Sequence, residues 1–312
     1  MLKRYEGNPI LTGREFGWDT SGVFNPGAVK FGDEYILIVN ATQTIRPYLL
    51  WMARSKDGVH FTPDPAPLPL EPMEQWPEEC DLYDPRITKI GDTYYITHSS
   101  HSAIGVRVAL TKTRDFQTFD RVGIISELGN RNAALFPEKI GGFYARLDRP
   151  SGNPDSANEN NGIWISYSPD LTHWGQARPV MNVRKGFWDD HKIGAGAVPL
   201  RVEQGWLEIY HGVTFSCNGY MYSIGACILD CQDPSRVLAR TIRPLLYPLE
   251  DYEKYGRVPM VTFTCNALLE ENGEVKVYYG CCDERIGLAV GRLDEIIKAC
   301  YETNPYPYHH SL

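Results

Sequence analysis

RITKIGDTYYITH, residues 86–98, joins a run of β-forming residues to an aromatic-rich second run through a tight Gly-Asp turn. Four further stretches repeat this pattern: AVKFGDEYILIVN (28–40), FPEKIGGFYARLDR (136–149), AVPLRVEQGWLEIYH (197–211) and ALLEENGEVKVYYG (267–280). A hairpin that recurs five times, at an average spacing of roughly 60 residues, is typical of radial or stacked repeats. The pattern predicts an all-β fold, a five-bladed β-propeller.

A second pair of strands is predicted after most of the hairpins, which makes four strands per blade. Short apolar runs that lead into Asp-containing turns indicate these strands at residues 49–61, 104–119, 162–174 and 224–237. The Pro-rich residues 63–72, the polar residues 151–162 and the tail 304–310 are predicted loops. LDEIIKACYE (293–302) shows helical periodicity, so we expect a short C-terminal helix that helps to close the ring.

Composition and charge favour one domain over residues 1–312 and exclude some classes of partner. The 312 residues are 43% hydrophobic, enough for a substantial core. The net charge is -8, from 31 Lys+Arg and 39 Asp+Glu, which argues against binding to nucleic acid or anionic membranes. The N-terminus has no apolar stretch of signal-peptide length, and no run is long enough to span a bilayer. We therefore expect a cytoplasmic protein.

The eight cysteines lie mostly in apolar, strand-like sequence, and the chain has no pair of CxxC knuckles. They are predicted to be reduced, buried and structural. Cys227 and Cys231 could in principle ligate zinc, but no second pair and no nearby histidine has ligand spacing. No metal site is expected.

Polar residues recur at one register of the repeats. In a propeller, the start of each innermost strand and the end of the next strand meet at one mouth of the channel. The predicted strand starts carry Asn25, Asp84, Arg131, Asn132 and Lys192, and the predicted second-strand ends carry Asn40, His98, Arg149, His211 and Asp283. Such a ring could simply satisfy the channel backbone and bind water. However, the third and fourth repeats gather two Arg, one Lys and one His, a set suited to a multiply charged oxyanion.

Several blocks, in the correct order and over nearly the whole chain, resemble glycoside hydrolase family 130, the five-bladed β-mannoside phosphorylases and related mannosidases. The blocks are YDPRITKIGDTYYITH (83–98), NRNAALFPEKIGGFYARLDRP (130–150), KIGAGAVP (192–199), WLEIYHGV (206–213), CNGYMYSIGACILDCQDPS (217–235) and VYYGCCD (277–283). The resemblance implies that Asp84 is the catalytic acid and that Asn25, Asn132 and Asp283 hold the mannosyl unit. It implies a phosphate site made of Arg131, Arg149, Lys192 and His211.

One position departs from the family pattern. Family members commonly have Arg where this chain has Asn40, at the end of the first repeat's second strand. That Arg contributes to the sugar side of the site, so its loss puts the sugar preference in question. Arg46, a few residues later, is a candidate substitute.

The residue types predict the reaction. Cleavage of a glycosidic bond needs an acid for the departing oxygen and a nucleophile for the anomeric carbon. Because cations stand where a second carboxylate would act, inorganic phosphate is the expected nucleophile and co-substrate, with no cofactor. The predicted reaction is inverting phosphorolysis of a β-mannoside to α-mannose 1-phosphate. In related enzymes the acid is thought to act through a hydroxyl of the mannosyl ring.

Other features of the function stay open. The acceptor sugar could be glucose, N-acetylglucosamine or mannose, and oligomerisation with further copies of the chain is equally open. Tyr220, Tyr222, Trp76 and the 151–162 loop are candidates for stacking on the acceptor. Two alternatives to the phosphorylase are a β-mannoside hydrolase on the same fold and a non-catalytic sugar-binding propeller.

Overall fold

The computed structural model describes residues 2–17, 19–43, 48–71, 73–74, 76, 78–151 and 161–303. These residues form five antiparallel sheets that follow one another along the chain, here called blades 1 to 5. The first strand of blade 1 contacts the first strands of blades 2 and 5, and the first strand of blade 3 contacts those of blades 2 and 4, so these strands surround a common centre. This arrangement confirms the predicted all-β, five-bladed β-propeller with four strands per blade.

The strands of each blade follow the chain order from the centre outwards. Two short strands precede blade 1, namely β1 (Lys3–Arg4) and β2 (Leu11–Thr12). Blade 1 contains β3 (Thr20–Phe31), β4 (Glu34–Gln43), β5 (Leu49–Ser55) and β6 (Thr62–Pro67). Blade 2 contains β7 (Asp81–Ile90), β8 (Thr93–Ser102), β9 (Gly105–Thr113) and β10 (Asp120–Ile124). Blade 3 contains β11 (Asn130–Leu135), β12 (Tyr144–Pro150), β13 (Ile163–Ser168) and β14 (Gly175–Met181).

Blades 4 and 5 vary this scheme. The inner strand of blade 4 is broken into β15 (Lys192–Ala195) and β16 (Leu200–Val202), which both pair with the same neighbour. That neighbour and the outer strands are β17 (Gly205–Ser216), β18 (Gly219–Leu229) and β19 (Val237–Arg240). Blade 5 contributes β20 (Thr262–Leu269), β21 (Glu274–Cys281) and β22 (Arg285–Arg292).

The N-terminal segment closes the ring, because it supplies the outermost position of the last blade. Both β1 and β2 pair antiparallel with β22, with Lys3 opposite Val290 and Leu11 opposite Ile286. The predicted C-terminal helix is confirmed as α2 (Leu293–Cys300), which packs against blades 4 and 5. Two short helical elements were not predicted, α1 (Asp251–Lys254) and a 3-10 helix at Gly13–Phe16. No helix in the described ranges is long and apolar enough to span a membrane.

The hydrophobic core lies between adjacent blades. Ile36 and Ile38 of blade 1 pack against Ile87 and Ile96 of blade 2. Corresponding clusters join blades 2 and 3, blades 3 and 4, blades 4 and 5, and blades 5 and 1. Each blade therefore buries both of its faces, as expected for radially packed sheets.

Two predictions about individual residues need correction. Residues 63–67 were predicted as part of a loop, but β6 contains Pro63, Pro65 and Pro67. This strand is the outermost of blade 1, where a missing N–H costs no ladder bond. The cysteines were predicted to be buried, yet Cys80 and Cys217 are exposed. Both lie outside strands: Cys80 immediately precedes β7, and Cys217 is in the β17–β18 turn.

The inner strands of the first three blades contain a β-bulge at matching places. The pairing register shifts between Phe24 and Gly27, between Tyr83 and Arg86, and between Arg131 and Ala134. Within each bulge one residue has a left-handed backbone, and these residues are Asn25 (φ 50), Asp84 (φ 56) and Asn132 (φ 58). A bulge of this kind turns a side chain away from the direction that the regular alternation of strand side chains would give it. The predicted strand starts are therefore wrong for Asn25 and Asp84, since each strand begins before its bulge.

Candidate active site

One cavity of about 330 Å³ lies where the five blades meet. All eight residues predicted for the site line this cavity: Asn25, Asp84, Arg131, Asn132, Arg149, Lys192, His211 and Asp283. Every blade contributes at least one of them. The structure thus brings the predicted set together, while the role assigned to each residue stays a prediction. The remaining lining is largely aromatic or apolar: Phe24, Tyr48, Tyr83, Tyr222, Val258, Val261 and Phe263.

Asp84 is held at three points. Its carboxyl Oδ1 accepts a hydrogen bond from Asn25 Nδ2 at 2.7 Å. Its backbone N–H donates to Asn40 Oδ1 at 3.0 Å, and its backbone carbonyl accepts from Arg86 Nη1 at 3.0 Å. A non-glycine residue at φ 56 persists only where its surroundings impose that conformation. These contacts therefore fix the bulge that turns the Asp84 carboxyl into the cavity.

Arg86 and Glu208 were missed by the sequence reasoning. Arg86 is fully buried and donates from Nε to Gly196 O at 2.8 Å and from Nη2 to Ala195 O at 2.9 Å. It thereby ties Asp84 to the inner strand of blade 4. Glu208 accepts from the Gly196 N–H at 3.0 Å, and burial raises its pKa well above the ordinary value. The available signal for Glu208 was its place as a charged residue within the apolar run WLEIY (206–210).

Three cations lie on blades 3 and 4. Arg131 on β11 is directly opposite Arg149 on β12, and like charges at this spacing repel. Burial, then the charges of Arg149 and Arg131, lower the pKa of Lys192 to about 8. Burial, followed by the charge of Arg131, lowers the pKa of Arg149 to about 10. A multiply charged anion between these groups would relieve their repulsion.

His211 does not add a fourth cation, which corrects the expectation from the sequence. It is fully buried, and burial followed by the charge of Arg149 lowers its pKa well below the ordinary value. The ring is therefore neutral at neutral pH and offers one N–H donor. Gly194, its partner on β15, leaves room for the ring, since a Cβ there would come within 2.6 Å of an imidazole carbon.

The charge of Asp84 acts on Asp283, which also contributes a carboxyl group to the cavity lining. Burial, and then the charge of Asp84, raise the pKa of Asp283 to about 7, whereas Arg257 opposes the shift. Asp283 also has a left-handed backbone, with φ 53. Asp283 therefore titrates near neutral pH, in the same cavity as Asp84.

Buried polar atoms without a protein partner cluster around this cavity. Among the described residues, hydrogen-bond partners are lacking for Asn25 Oδ1, Arg131 Nε, Asn132 Oδ1 and both ring nitrogens of His211. Buried polar atoms in folded proteins are nearly always paired. Their concentration here indicates a ligand rich in hydrogen-bonding groups, such as a sugar or an oxyanion.

Two positions predicted to face the channel do not line the cavity. Asn40 is fully buried and bonds to the backbone of β7. His98 is also buried, and its ring nitrogens lie 3.4 Å from Ser99 O and 3.3 Å from Thr111 Oγ1. Neighbouring strand residues point to opposite faces, so an error of one residue in register reverses the predicted direction. Arg46 lies outside the described residues.

The residues that were candidates for stacking on the acceptor lie in different places in the structure. Tyr222 lines the cavity, and the Lys192 ammonium lies 5.0 Å from its ring centroid and 4.8 Å from that of Tyr220. Trp76 is only 3% exposed and packs under Arg107, so this candidate is a core residue, the alternative that applies to most aromatic residues of a propeller. Most of the 151–162 loop lies outside the described residues.

Tyr48 is a cavity residue that the repeat pattern did not indicate. The guanidinium carbon of Arg257 lies 5.4 Å from the centroid of the Tyr48 ring. Tyr48 follows the second strand of blade 1 and lies at neither a strand start nor a strand end. The repeat pattern therefore gives no indication of it. Its ring and the adjacent guanidinium add an aromatic and cationic surface to the cavity wall.

Comparisons with known proteins agree with the geometry. A family model described as β-1,4-mannooligosaccharide phosphorylase, glycoside hydrolase family 130, matches residues 2–302. The chain is 36% identical to a β-1,4-mannooligosaccharide phosphorylase of Ruminococcus albus over 306 residues, which cover 95% of this chain and 90% of that protein. It is 40% identical to a β-1,2-mannobiose phosphorylase of Listeria innocua over 250 residues, covering 79% and 67%.

A solved structure shows the same similarity in three dimensions. The complex of a Listeria innocua β-1,2-mannobiose phosphorylase with β-1,2-mannobiose superposes with a TM-score of 0.86 and 31% identity. The superposition covers 96% of this chain and 99% of that one. Since the family match also spans nearly the whole chain, the protein belongs to glycoside hydrolase family 130.

Proposed function

We propose that the protein catalyses inverting phosphorolysis of β-mannosides, releasing α-mannose 1-phosphate and an acceptor sugar. The observation that carries this proposal is the trio of Arg131, Arg149 and Lys192 in the cavity that also contains Asp84. Two arginines placed opposite each other need a counter-charge, and inorganic phosphate provides it as well as the nucleophile. The named relatives are all phosphorylases of β-mannosides.

The reaction divides between the two sides of the cavity. Phosphate, neutralised by Arg131, Arg149 and Lys192 and hydrogen-bonded by neutral His211, attacks the anomeric carbon. The bond from that carbon to the glycosidic oxygen breaks on the opposite face, so the β-linkage becomes an α-phosphate. Asp84 supplies the proton for the departing oxygen, directly or through a hydroxyl of the mannosyl ring. Because its Oδ1 accepts from Asn25, the transferable proton belongs on Oδ2.

The mannosyl unit is held by the remaining polar residues. Asn25, Asn132 and Asp283 combine amide and carboxyl groups that suit ring hydroxyls, and the unpaired Oδ1 atoms of both asparagines are free to accept. The acceptor leaves past the aromatic wall that includes Tyr48 and Tyr222. The relatives act on β-1,4 and β-1,2 linkages, so the linkage of this protein's substrate has to be measured.

A β-mannoside hydrolase is the second candidate, because Asp283 is a second carboxyl group in the cavity. It would activate water in place of phosphate. Its raised pKa, about 7, suits a general base. Against the hydrolase stand Arg131, Arg149 and Lys192, because these cations have no role in attack by water.

One experiment separates these functions. The protein is incubated with β-1,4-mannobiose, β-1,2-mannobiose and β-1,4-mannosyl-glucose, each with and without phosphate, and mannose 1-phosphate and free mannose are quantified. We expect mannose 1-phosphate, as the α-anomer by NMR, only when phosphate is present. Free mannose at an equal rate without phosphate would identify a hydrolase. Binding without turnover of any substrate would identify a sugar-binding protein.

A further inference from the structure

A cluster of three potential metal ligands lies outside the cavity, where β7 of blade 2 begins and β8 ends. Cys80 precedes β7, Asp81 is the first residue of that strand, and His101 is its direct partner on β8. The thiol is exposed, the Asp81 carboxyl is buried and the imidazole is partly exposed. None of the three lines the cavity.

The spacing of the three ligand atoms is close to the spacing of ligands around one metal ion. Asp81 Oδ2 lies 3.6 Å from His101 Nδ1 and 3.8 Å from Cys80 Sγ, which in turn lies 3.9 Å from His101 Nδ1. A nitrogen–oxygen distance of 3.6 Å is too long for a hydrogen bond. Typical zinc bond lengths at a tetrahedral angle give ligand–ligand distances of about 3.3–3.6 Å. A shift of a few tenths of an ångström would complete such a shell.

The surroundings orient the carboxylate for this role. Asp81 Oδ1 accepts a hydrogen bond from the Tyr48 N–H at 2.9 Å, so the carboxyl group is fixed while Oδ2 points towards Cys80 and His101. Metal-ligating carboxylates are typically hydrogen-bonded in this way. The backbone also holds the ligands together, since the Cys80 N–H donates to His101 O at 2.8 Å.

We propose that Cys80, Asp81 and His101 form a binding site for a zinc ion, with the fourth position open to water. Thiolate, imidazole and carboxylate together favour Zn²⁺ over the hard cations Mg²⁺ and Ca²⁺. The Cys80 thiol now donates to His101 O at 3.3 Å. On binding it releases its proton to solvent and exchanges this contact for the metal.

The site would brace the wall of the cavity without taking part in the chemistry. It joins the start of β7, three residues before Asp84, to the end of β8. Through Asp81 it is linked to Tyr48, and the His101 ring lies 6.5 Å from that of Tyr83. Both tyrosines line the cavity. Metal-free protein should therefore retain phosphorolysis, since the proposed phosphate site draws its charge from side chains.

Cobalt titration of the metal-free full chain tests the proposal. One equivalent of Co²⁺ should produce a near-ultraviolet thiolate-to-cobalt charge-transfer band, and Zn²⁺ should abolish the band by displacement. Zinc in large excess over its dissociation constant should raise the thermal midpoint by a few degrees. These readouts do not depend on activity, so they can succeed or fail independently of the proposed reaction.

Matched variants locate the site. Cys80→Ser should abolish the band, whereas Asp81→Asn and His101→Gln should weaken binding at least tenfold. Cys217→Ser removes the other exposed thiol, and His173→Gln removes an exposed histidine elsewhere, so both should behave like the unchanged protein. Absence of the band in the unchanged protein, or its persistence in Cys80→Ser, would overturn the proposal. All variants are compared by circular dichroism without metal, to confirm that each is folded.

Discussion

The side-chain amide of Asn40 spans the bulge that carries Asp84. Its Oδ1 accepts the Asp84 N–H at 3.0 Å, and its Nδ2 donates to Leu82 O at 2.6 Å. Asn40 is fully buried on β4 of blade 1, so it fixes the bulge of blade 2 from the neighbouring sheet. The residue that stands where family members commonly have Arg thus supports the backbone of the proposed acid and does not line the cavity.

Replacing Asn40 should therefore impair proton donation. Asn40→Leu leaves two buried backbone groups unpaired, each at a cost of about 1–3 kcal/mol, and frees the Asp84 bulge to move. Since small misplacements of a catalytic group cost up to about 10²-fold, we expect kcat on mannobiose to fall by roughly 10- to 100-fold. The KM for phosphate should stay nearly unchanged. Steady-state kinetics with mannobiose and with an aryl β-mannoside of low leaving-group pKa provide the measurement.

Asn266 offers a matched control for this variant. Its amide makes the same pair of contacts with Ile87 on the same strand, at 2.9 Å and 3.2 Å, but it does not line the cavity. Asn266→Leu should lower stability similarly and affect both substrates equally. Asn40→Leu should spare the aryl mannoside, which needs little protonation. Equal losses on both substrates for Asn40→Leu would show that Asn40 is merely structural.

The paired arginines should govern phosphate binding. Arg131→Ala and Arg149→Ala each remove a charge-assisted contact worth about 1.5–3 kcal/mol, so the phosphate KM should rise and turnover should fall. The KM for the disaccharide should change much less. Arg178→Ala, which removes an exposed arginine paired with Asp233, serves as the control and should leave both KM values unchanged. An unaltered phosphate dependence in both cavity variants would refute the anion site.

Activity with phosphate should fall at mildly alkaline pH, because Lys192 loses its proton there. Its pKa is lowered to about 8, chiefly by burial, so the ammonium is present below pH 8 and is lost as the pH rises through 8. The value of kcat/KM for phosphate should fall over this range, because it reports the ionisation of the free enzyme. Lys192→Arg retains its charge and should move the decline to higher pH. The same decline in Lys192→Arg would assign it to another group.

The free energy of unfolding at acidic pH should depend on His98. Burial, followed by the charge of Arg121, lowers its pKa from 6.5 to about 4 in the folded protein. Between these values the unfolded chain binds the proton and the folded chain does not, so stability falls as the pH drops from 6.5 towards 4. The full effect is on the order of 3 kcal/mol.

Urea unfolding between pH 4 and 7 measures this effect. His98→Gln should flatten the pH dependence, whereas His173→Gln, on the surface, should keep it. A slope that persists in His98→Gln would mean that other groups control the acid transition.

The fold was predictable because its signals are local and repeated. Each hairpin contains its own turn residues and β-forming runs, and the Asp-containing outer turns recur with the same hydrogen bonds at Asp57, Asp115 and Asp170. The strand β6 was not predictable, since its prolines are tolerated only because the strand lies at the sheet edge. Closure by β1 and β2 depends on pairing with a strand at the far end of the chain.

The site was predictable where side-chain type and register coincide, as for Arg131, Lys192 and Asp283. The site was not predictable where tertiary contacts change the placement of a side chain or remove its charge. Asn40 and His98 do not line the cavity, and His211 is neutral because of burial beside Arg149. The buried Arg86 could not be foreseen either, because its carbonyl partners lie in another blade.

Asp84 should prove to be the proton donor. Asp84→Asn keeps the size of the side chain, and its amide oxygen can still accept from Asn25, but the transferable proton is lost. General acid catalysis contributes about 10²–10⁴-fold, so kcat on mannobiose should fall by at least that range while the protein stays folded. Titration should also show a lower pKa for Asp283, because the charge of Asp84 contributes to raising it.

The choice of leaving group makes the test specific. With an activated aryl β-mannoside the departing group no longer needs a proton, so the loss in Asp84→Asn should shrink. Asp283→Asn is the matched comparison: it removes the second carboxyl group of the cavity, and we expect it to impair both kinds of substrate alike through sugar binding. If Asp84→Asn is equally impaired on both substrates while Asp283→Asn shows the dependence on leaving group, the proton comes from Asp283 and the assignment of the acid is wrong.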